Sequence, residues 1–190
     1  MRTFIAIELP PDIKYSISKI QDKLKISLPK VSWVIPINLH LTLKFLGEIS
    51  SKKLDSINQI IKEITKTTSS FRIKLETVGI FPHISEARII WIGSENLPQK
   101  LKEIIEQLET RLGESGIAKE KRPFRAHITI GRLRNCIASS IVEKSISDIK
   151  TDMVHKNLEF VAGGITLFES TLSSSGPTYT VLKEANFKIT

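Results

Sequence analysis

Apolar positions along this chain alternate between a period of two and a period near 3.6, the marks of strand and helix. Residues 3–9, "TFIAIEL", are a β-branched apolar run stopped by Pro10 and Pro11, which predicts a buried strand. Ile13, Ile17, Ile20 and Leu24 then recur at helical spacing, with Asp12 at the helix start. "VSWVIP" predicts a short strand, and residues 39–46 a half-buried one ended by Gly47. Leu54, Ile57, Ile61 and Ile64 stripe a helix that Ser50 or Ser51 can cap. Residues 71–81 alternate as one strand and pair, across the loop "PHISE", with a second run at 87–93. Leu97, Leu101, Ile104, Leu108 and Leu112 predict a helix ending at Gly113. "FRAHITIGRL" reads as a strand and residues 138–149 as a weaker helix. "LEFVAGGITLFES" and "TYTVLKEANF" read as two closing strands joined through the turn "SSSGP".

That mixture of strands and helices predicts an α+β fold, its sheets covered on one side by helices. The second half of the order echoes the first. Aligning His40 with His127 also aligns Thr42 with Thr129 and Leu46 with Leu133. The chain therefore reads as a single domain over residues 1–190, built of two similar lobes that each lend one strand to a shared cleft.

Composition narrows the class. The 41% apolar fraction and mixed charges belong to a globular chain rather than a disordered one. One cysteine, Cys136, cannot close an internal disulfide, which favours a reducing compartment. "MRTFIAIELPPDIK" lacks the features of a signal peptide, and no apolar run approaches a membrane span, so a cytoplasmic protein is expected. The net charge of +8 favours a polyanionic partner, although lysines at helical spacing also serve simply to solvate outer faces.

The unusual chemistry lies in two strands. Side chains on a strand alternate between faces, so His40, Thr42 and Lys44 should share one face, with Leu39, Leu41, Leu43 and Phe45 opposite. In "HITI", His127 and Thr129 share a face, with Ile128 and Ile130 behind them. Either pair alone would ordinarily be structural. Two copies among four histidines, both in predicted strands, point to function. Two imidazoles suit displacement at a phosphodiester: one neutral ring accepts a proton from the attacking oxygen, and one charged ring donates to the leaving oxygen. Each threonine hydroxyl can donate to a phosphoryl oxygen where charge develops.

With these motifs and their flanks, the chain resembles the two-histidine phosphoesterases, and most closely the RNA 2′,3′-cyclic phosphodiesterases historically called 2′-5′ RNA ligases. The family's two His-x-Thr-x motifs correspond to His40-Leu41-Thr42-Leu43 and His127-Ile128-Thr129-Ile130. "MRTFIAIEL", "NLHLTLKFLGE", "GIFPHISEARIIWIG" and "FESTLSSSGPTYTVL" are similar to other family segments, so the likeness covers nearly the whole chain. It implies two pseudo-symmetric lobes of antiparallel sheet, helices on their outer faces and an active-site cleft between them. It implies that His40 donates and His127 accepts the proton, and that Thr42 and Thr129 hold the phosphoryl oxygens. It also implies hydrolysis of RNA 2′,3′-cyclic phosphate ends (tRNA halves among them) to 2′-phosphates by a monomer, with ATP-independent 2′-5′ ligation as the reverse. No metal or nucleotide cofactor is implied.

Arg132 fits the "GR" that follows the second motif and is expected to contact phosphate. Strict alternation puts it opposite His127, so a bulge or a strand end near Gly131 is required. Lys44 is expected to be solvated, and His83 and His155 to be surface residues; four scattered histidines and one cysteine do not suggest a metal site. Phe45, Phe81, Phe124 and Trp91 could stack a base or fill the core. No Gly-rich phosphate loop or nucleophile elbow is found. Two alternatives stay open from the residues: a non-catalytic module that binds RNA ends, and a related enzyme acting on a small cyclic phosphate.

Overall fold

The computed structural model describes the chain except residues 135, 136, 155, 157, 175 and 190 and the side chain of residue 154. Cys136, His155 and the centre of the "SSSGP" turn thus lie outside the described residues. Two four-stranded antiparallel sheets and four helices dominate the α+β fold. The first sheet has the order β10-β9-β1-β3, from β10 (Gly176–Asn186), β9 (Gly164–Ser173), β1 (Arg2–Glu8) and β3 (His40–Glu48). The second has the order β2-β7-β6-β5, from β2 (Val31–Trp33), β7 (His127–Leu133), β6 (Ile89–Gly93) and β5 (Thr77–Phe81). A separate ribbon joins β4 (Phe71–Lys74) to β8 (Glu159–Ala162).

Each four-stranded sheet is covered by two helices. α2 (Ser51–Thr67) and α3 (Gln99–Glu114) lie against the first sheet; α1 (Pro11–Ser27) and α4 (Ser139–Val154) lie against the second. Most of the expected stripes are what they bury: Ile13, Ile17, Ile20 and Leu24 on α1, Ile57, Ile61 and Ile64 on α2, and Leu101, Ile104, Leu108 and Leu112 on α3; Leu54 is half-buried, and Leu97 packs on the core from before α3 begins. β3 and β7 approach each other, so the two His-x-Thr strands meet where the sheets meet.

Several element boundaries differ from expectation. The run 71–81 is two strands in different sheets, and 158–170 divides at Gly163 in the same way. Apolar alternation persists through both breaks, so periodicity could not reveal the change of partner. Asp12 lies in the first turn of α1, whose N-cap is Pro10. β7 starts at His127, because Ala126 and the residues before it approach as a loop. Gly47 does not end β3; at φ +72° it sits in a bulge, and pairing continues to Glu48. The left-handed conformation there is open to glycine at little cost.

A second bulge in β3 matters more. Ala6 pairs with Thr42 and Ile5 with Lys44, leaving Leu43 without a partner. Two residues opposing one reverses the alternation beyond them. Lys44 is therefore buried (5% exposed) and Phe45 open (67% exposed), the reverse of the regular-strand expectation. The Lys44 ammonium is compensated: Nζ donates to Glu109 Oε1 at 2.7 Å and to the Ala118 carbonyl at 3.0 Å. β7 repeats the device. Ile90 pairs with Gly131 and Trp91 with Thr129, leaving Ile130 without a partner. The Ile130 carbonyl accepts from buried Gln21 Nε2 at 2.8 Å and from the Val34 N–H at 3.0 Å.

Lys44→Met should cost about 2–3 kcal/mol in urea denaturation, below the full penalty for breaking a buried pair because Glu109 keeps some water contact. Glu109→Gln, which strips the counter-charge from the more deeply buried ammonium and turns one of two accepting oxygens into a donor, should cost at least as much.

Candidate active site

A 3₁₀ turn at Pro36–Asn38 delivers the chain to His40, whose Nδ1 lies 2.8 Å from the Asn38 carbonyl. His127 is held identically, Nδ1 lying 2.8 Å from the Arg125 carbonyl. A carbonyl only accepts, so each Nδ1 carries the proton and donates it. Each neutral ring is thereby left with Nε2 as a free acceptor. The i−2 carbonyl fixes tautomer and ring orientation in both strands without help from another side chain.

The two rings sit in aromatic frames. His40 stacks on Phe4 at 4.7 Å and meets Tyr179 edge-on at 5.2 Å, while Phe4 stacks on Phe168 at 5.1 Å. His127 meets Phe81 edge-on at 5.0 Å, and Phe81 stacks on Trp91 at 5.1 Å. Gly79 makes room for that indole: a Cβ there would lie 2.3 Å from Trp91 Cζ2.

These frames exclude water and so disfavour charge. Burial lowers the pKa of His40 to about 4, against the opposing pull of the Asn38 carbonyl. Positive charge on Lys14, Arg132 and His127 depresses it further, so all three face His40 closely enough to act on it. Burial also lowers the pKa of His127, again opposed by its backbone acceptor. Burial raises that of Tyr179, with Arg132 and Arg2 pulling it down.

The bulge at Ile130 places Arg132 on the His127 face, exposed and felt by both His40 and Tyr179. Thr42 and Thr129 are half-buried beside their histidines, and among the described residues neither hydroxyl has a hydrogen-bond partner. His40, Thr42, His127, Thr129 and Arg132 thus border the junction of the two sheets. Lys44 does not, being turned into the interior. His83 remains apart, bonded to Ser85 and 3.6 Å from Glu86. Phe45 lies open on the His40 side, its ring 6.1 Å from Phe4, whereas Phe124 packs against the core.

Sequence reasoning missed Phe4, Phe168, Tyr179 and Lys14. Tyr179 reaches His40 because β10 folds onto β9, β9 onto β1 and β1 onto β3, a proximity no local pattern signals. Among the described residues no group of three or more metal-ligating side chains forms, and no helix is long and apolar enough to cross a membrane.

Where the two sheets meet, this arrangement offers two imidazole Nε2 acceptors and, among the described residues, two hydroxyls and a guanidinium without partners, equipment for proton transfer at an anionic ester. The LigT like Phosphoesterase family model matches residues 7–91 and again 92–179. An RNA 2′,3′-cyclic phosphodiesterase of Methanocaldococcus jannaschii is 38% identical over 97% of this chain and 99% of its own length. One from Thermotoga maritima is 34% identical over 99% of this chain and 96% of its own. Among solved structures, TT0787 of Thermus thermophilus superposes with TM-score 0.82 at 25% identity, covering 98% of both chains. E. coli LigT complexed with 3′-AMP superposes with TM-score 0.78 at 26% identity, covering 98% of this chain and 97% of that one.

Nuclear magnetic resonance of the imidazoles should find His40 neutral at pH 7, with its proton on Nδ1, titrating near pH 4. Because the folded state binds this proton more weakly than the unfolded chain, the contribution of His40 to stability is fully present above about pH 6.5. It is lost as pH falls through about 4. Denaturation curves of the protein and of His40→Gln should therefore converge in acid.

Proposed function

Because this chain belongs to the LigT-like phosphoesterase family, we propose that it hydrolyses RNA 2′,3′-cyclic phosphate ends to 2′-phosphates with His40 and His127 as the catalytic pair. The observation that carries the reading is the shared tethering of both rings: each Nδ1–H is committed to an i−2 carbonyl, so each Nε2 is free for the reacting group. The repeated family match and the matching bulges support a single two-lobed domain with an internal repeat.

His127 Nε2 takes a proton from water as the water oxygen attacks phosphorus. The P–O3′ bond breaks, and protonated His40 delivers its Nε2 proton to the departing 3′ oxygen, leaving phosphate on O2′. Thr42 and Thr129 donate hydrogen bonds to the non-bridging oxygens, and Arg132 supplies positive charge. Burial keeps His40 neutral in the free protein; a phosphodiester anion beside it favours the imidazolium and readies it to donate. With a 5′-hydroxyl in place of water the same groups in the same roles join ends without ATP: O5′ bonds to phosphorus as P–O3′ breaks, which leaves a 2′-5′ link. The proposal extends to a monomer working in the cytoplasm on RNA ends, tRNA halves among them; one chain supplies every residue of the site.

Incubation of a 2′,3′-cyclic nucleotide with the protein in EDTA should yield the 2′-phosphate. His40→Ala or His127→Ala should each lower kcat by about 10²- to 10⁴-fold. Unchanged turnover after replacement of both would refute the pair.

The profile of kcat/KM against pH should be bell-shaped, with its maximum on the acid side of neutrality. It should fall below about pH 4, where both free rings are protonated, and above the depressed pKa of His127, where both are neutral. A bound anion raises both pKa values, so the kcat profile should lie at higher pH.

A further inference from the structure

The segment between α3 and β7, residues 115–126, carries four cations and one acid between Lys119 and Arg125: "KEKRPFR". It leads directly into His127. We propose that Lys121 and Arg122 form a docking arm for the phosphate backbone of single-stranded RNA, taking the nucleotides on the 5′ side of the reacting end; this rests on the phosphodiesterase reading above.

Three observations carry it. First, the arm is fastened rather than loose. Glu109 accepts from buried Lys44 with Oε1 and from the Glu120 N–H at 3.0 Å with Oε2, while Lys44 also holds the Ala118 carbonyl. The strand of His40 is thereby tied to the approach of His127.

Second, the acids that could neutralise the arm are committed elsewhere. Glu109 is spent as described, and Glu120 Oε1 accepts the backbone N–H groups of Lys121 at 2.9 Å and Arg122 at 3.2 Å. Lys121 and Arg122 are exposed, and among the described residues neither has a carboxylate within ion-pairing distance. Some cations on other faces find partners, as in Arg111 with Glu63 and Arg72 with Glu159, and others such as Lys62 and Lys102 do not among the described residues, so what sets the arm apart is its four cations in seven residues leading into His127.

Third, the arm leads along the chain into the site. The Arg125 guanidinium lies 6.0 Å from the Phe81 ring centre, Phe81 contacts His127, and the Arg125 carbonyl holds that histidine. From Arg125 back to Lys121 the chain spans at most about 14 Å, a reach of a few nucleotides. Uncompensated cations spaced along an exposed loop suit a polyanion, whose binding releases counterions and weakens with salt. A lone cyclic nucleotide has no phosphate to offer there.

The test compares a 2′,3′-cyclic mononucleotide with an oligoribonucleotide of about eight residues ending in the same group, a length within ordinary single-strand sites. For Lys121→Gln/Arg122→Gln, KM on the oligonucleotide should rise roughly tenfold, and the slope of log binding constant against log salt should become shallower by about 1.4. Turnover of the mononucleotide should be unchanged. Lys121→Glu/Arg122→Glu should exaggerate the difference. Equal losses on both substrates, or no loss on either, would overturn the arm. Binding of the oligonucleotide to His40→Ala/His127→Ala, with and without the arm substitutions, needs no catalysis. A salt-sensitive difference there supports the arm even if hydrolysis fails, and no difference sinks it even if hydrolysis succeeds.

Discussion

One unpaired residue in each histidine strand governs the geometry where the two sheets meet. Leu43 in β3 and Ile130 in β7 each stand three positions beyond a histidine and have no partner on the neighbouring strand. Up to that point each strand alternates normally, presenting histidine and threonine on one face. Beyond it the faces exchange. The same offset from each histidine thus brings Phe45 out on one strand and Arg132 out on the other, beside rings that a regular strand would have set opposite them. The irregularity is supported: Lys44 is sealed by Glu109 and the Ala118 carbonyl, and the Ile130 carbonyl by Gln21 and Val34.

The histidines are prepared by the same economy of parts. Backbone carbonyls two residues upstream hold both Nδ1–H groups, so the side chains nearby are left to shape the dielectric. Phe4, Tyr179, Phe81 and Trp91 exclude water around the rings, and Lys14 and Arg132 add positive charge near His40. Both influences disfavour the imidazolium until an anion arrives. Under the proposed mechanism such a site would couple protonation to substrate binding, with the stronger depression on His40.

Much of this was legible before any coordinates. The apolar stripes of α1, α2 and α3 are the faces those helices bury, because a 3.6-residue period is sufficient when one side packs on a sheet. Given the role that the resemblance implies for Arg132, parity required a bulge or a strand end near Gly131, and a bulge is found at Ile130. The same parity misplaced Lys44 and Phe45, because nothing in "HLTLKFLGE" marks Leu43 as unpaired. The strand breaks near Leu75 and at Gly163 were invisible for a related reason: apolar alternation records burial and not which strand provides it.

The chain's own order of residues carried the two His-x-Thr pairs, their polar placement against apolar layers, the α+β class and the excess positive charge, since each follows from local periodicity or composition. The register that creates the bulges, the enclosure of His40 by Phe4 and Tyr179, and the seal on Lys44 arose only when β1, β3, β9, β10 and α3 came together. Those features depend on which distant backbone supplies each hydrogen bond and which distant ring displaces each water. Such partners are chosen by the packed fold and leave no trace in the spacing of neighbours along the sequence.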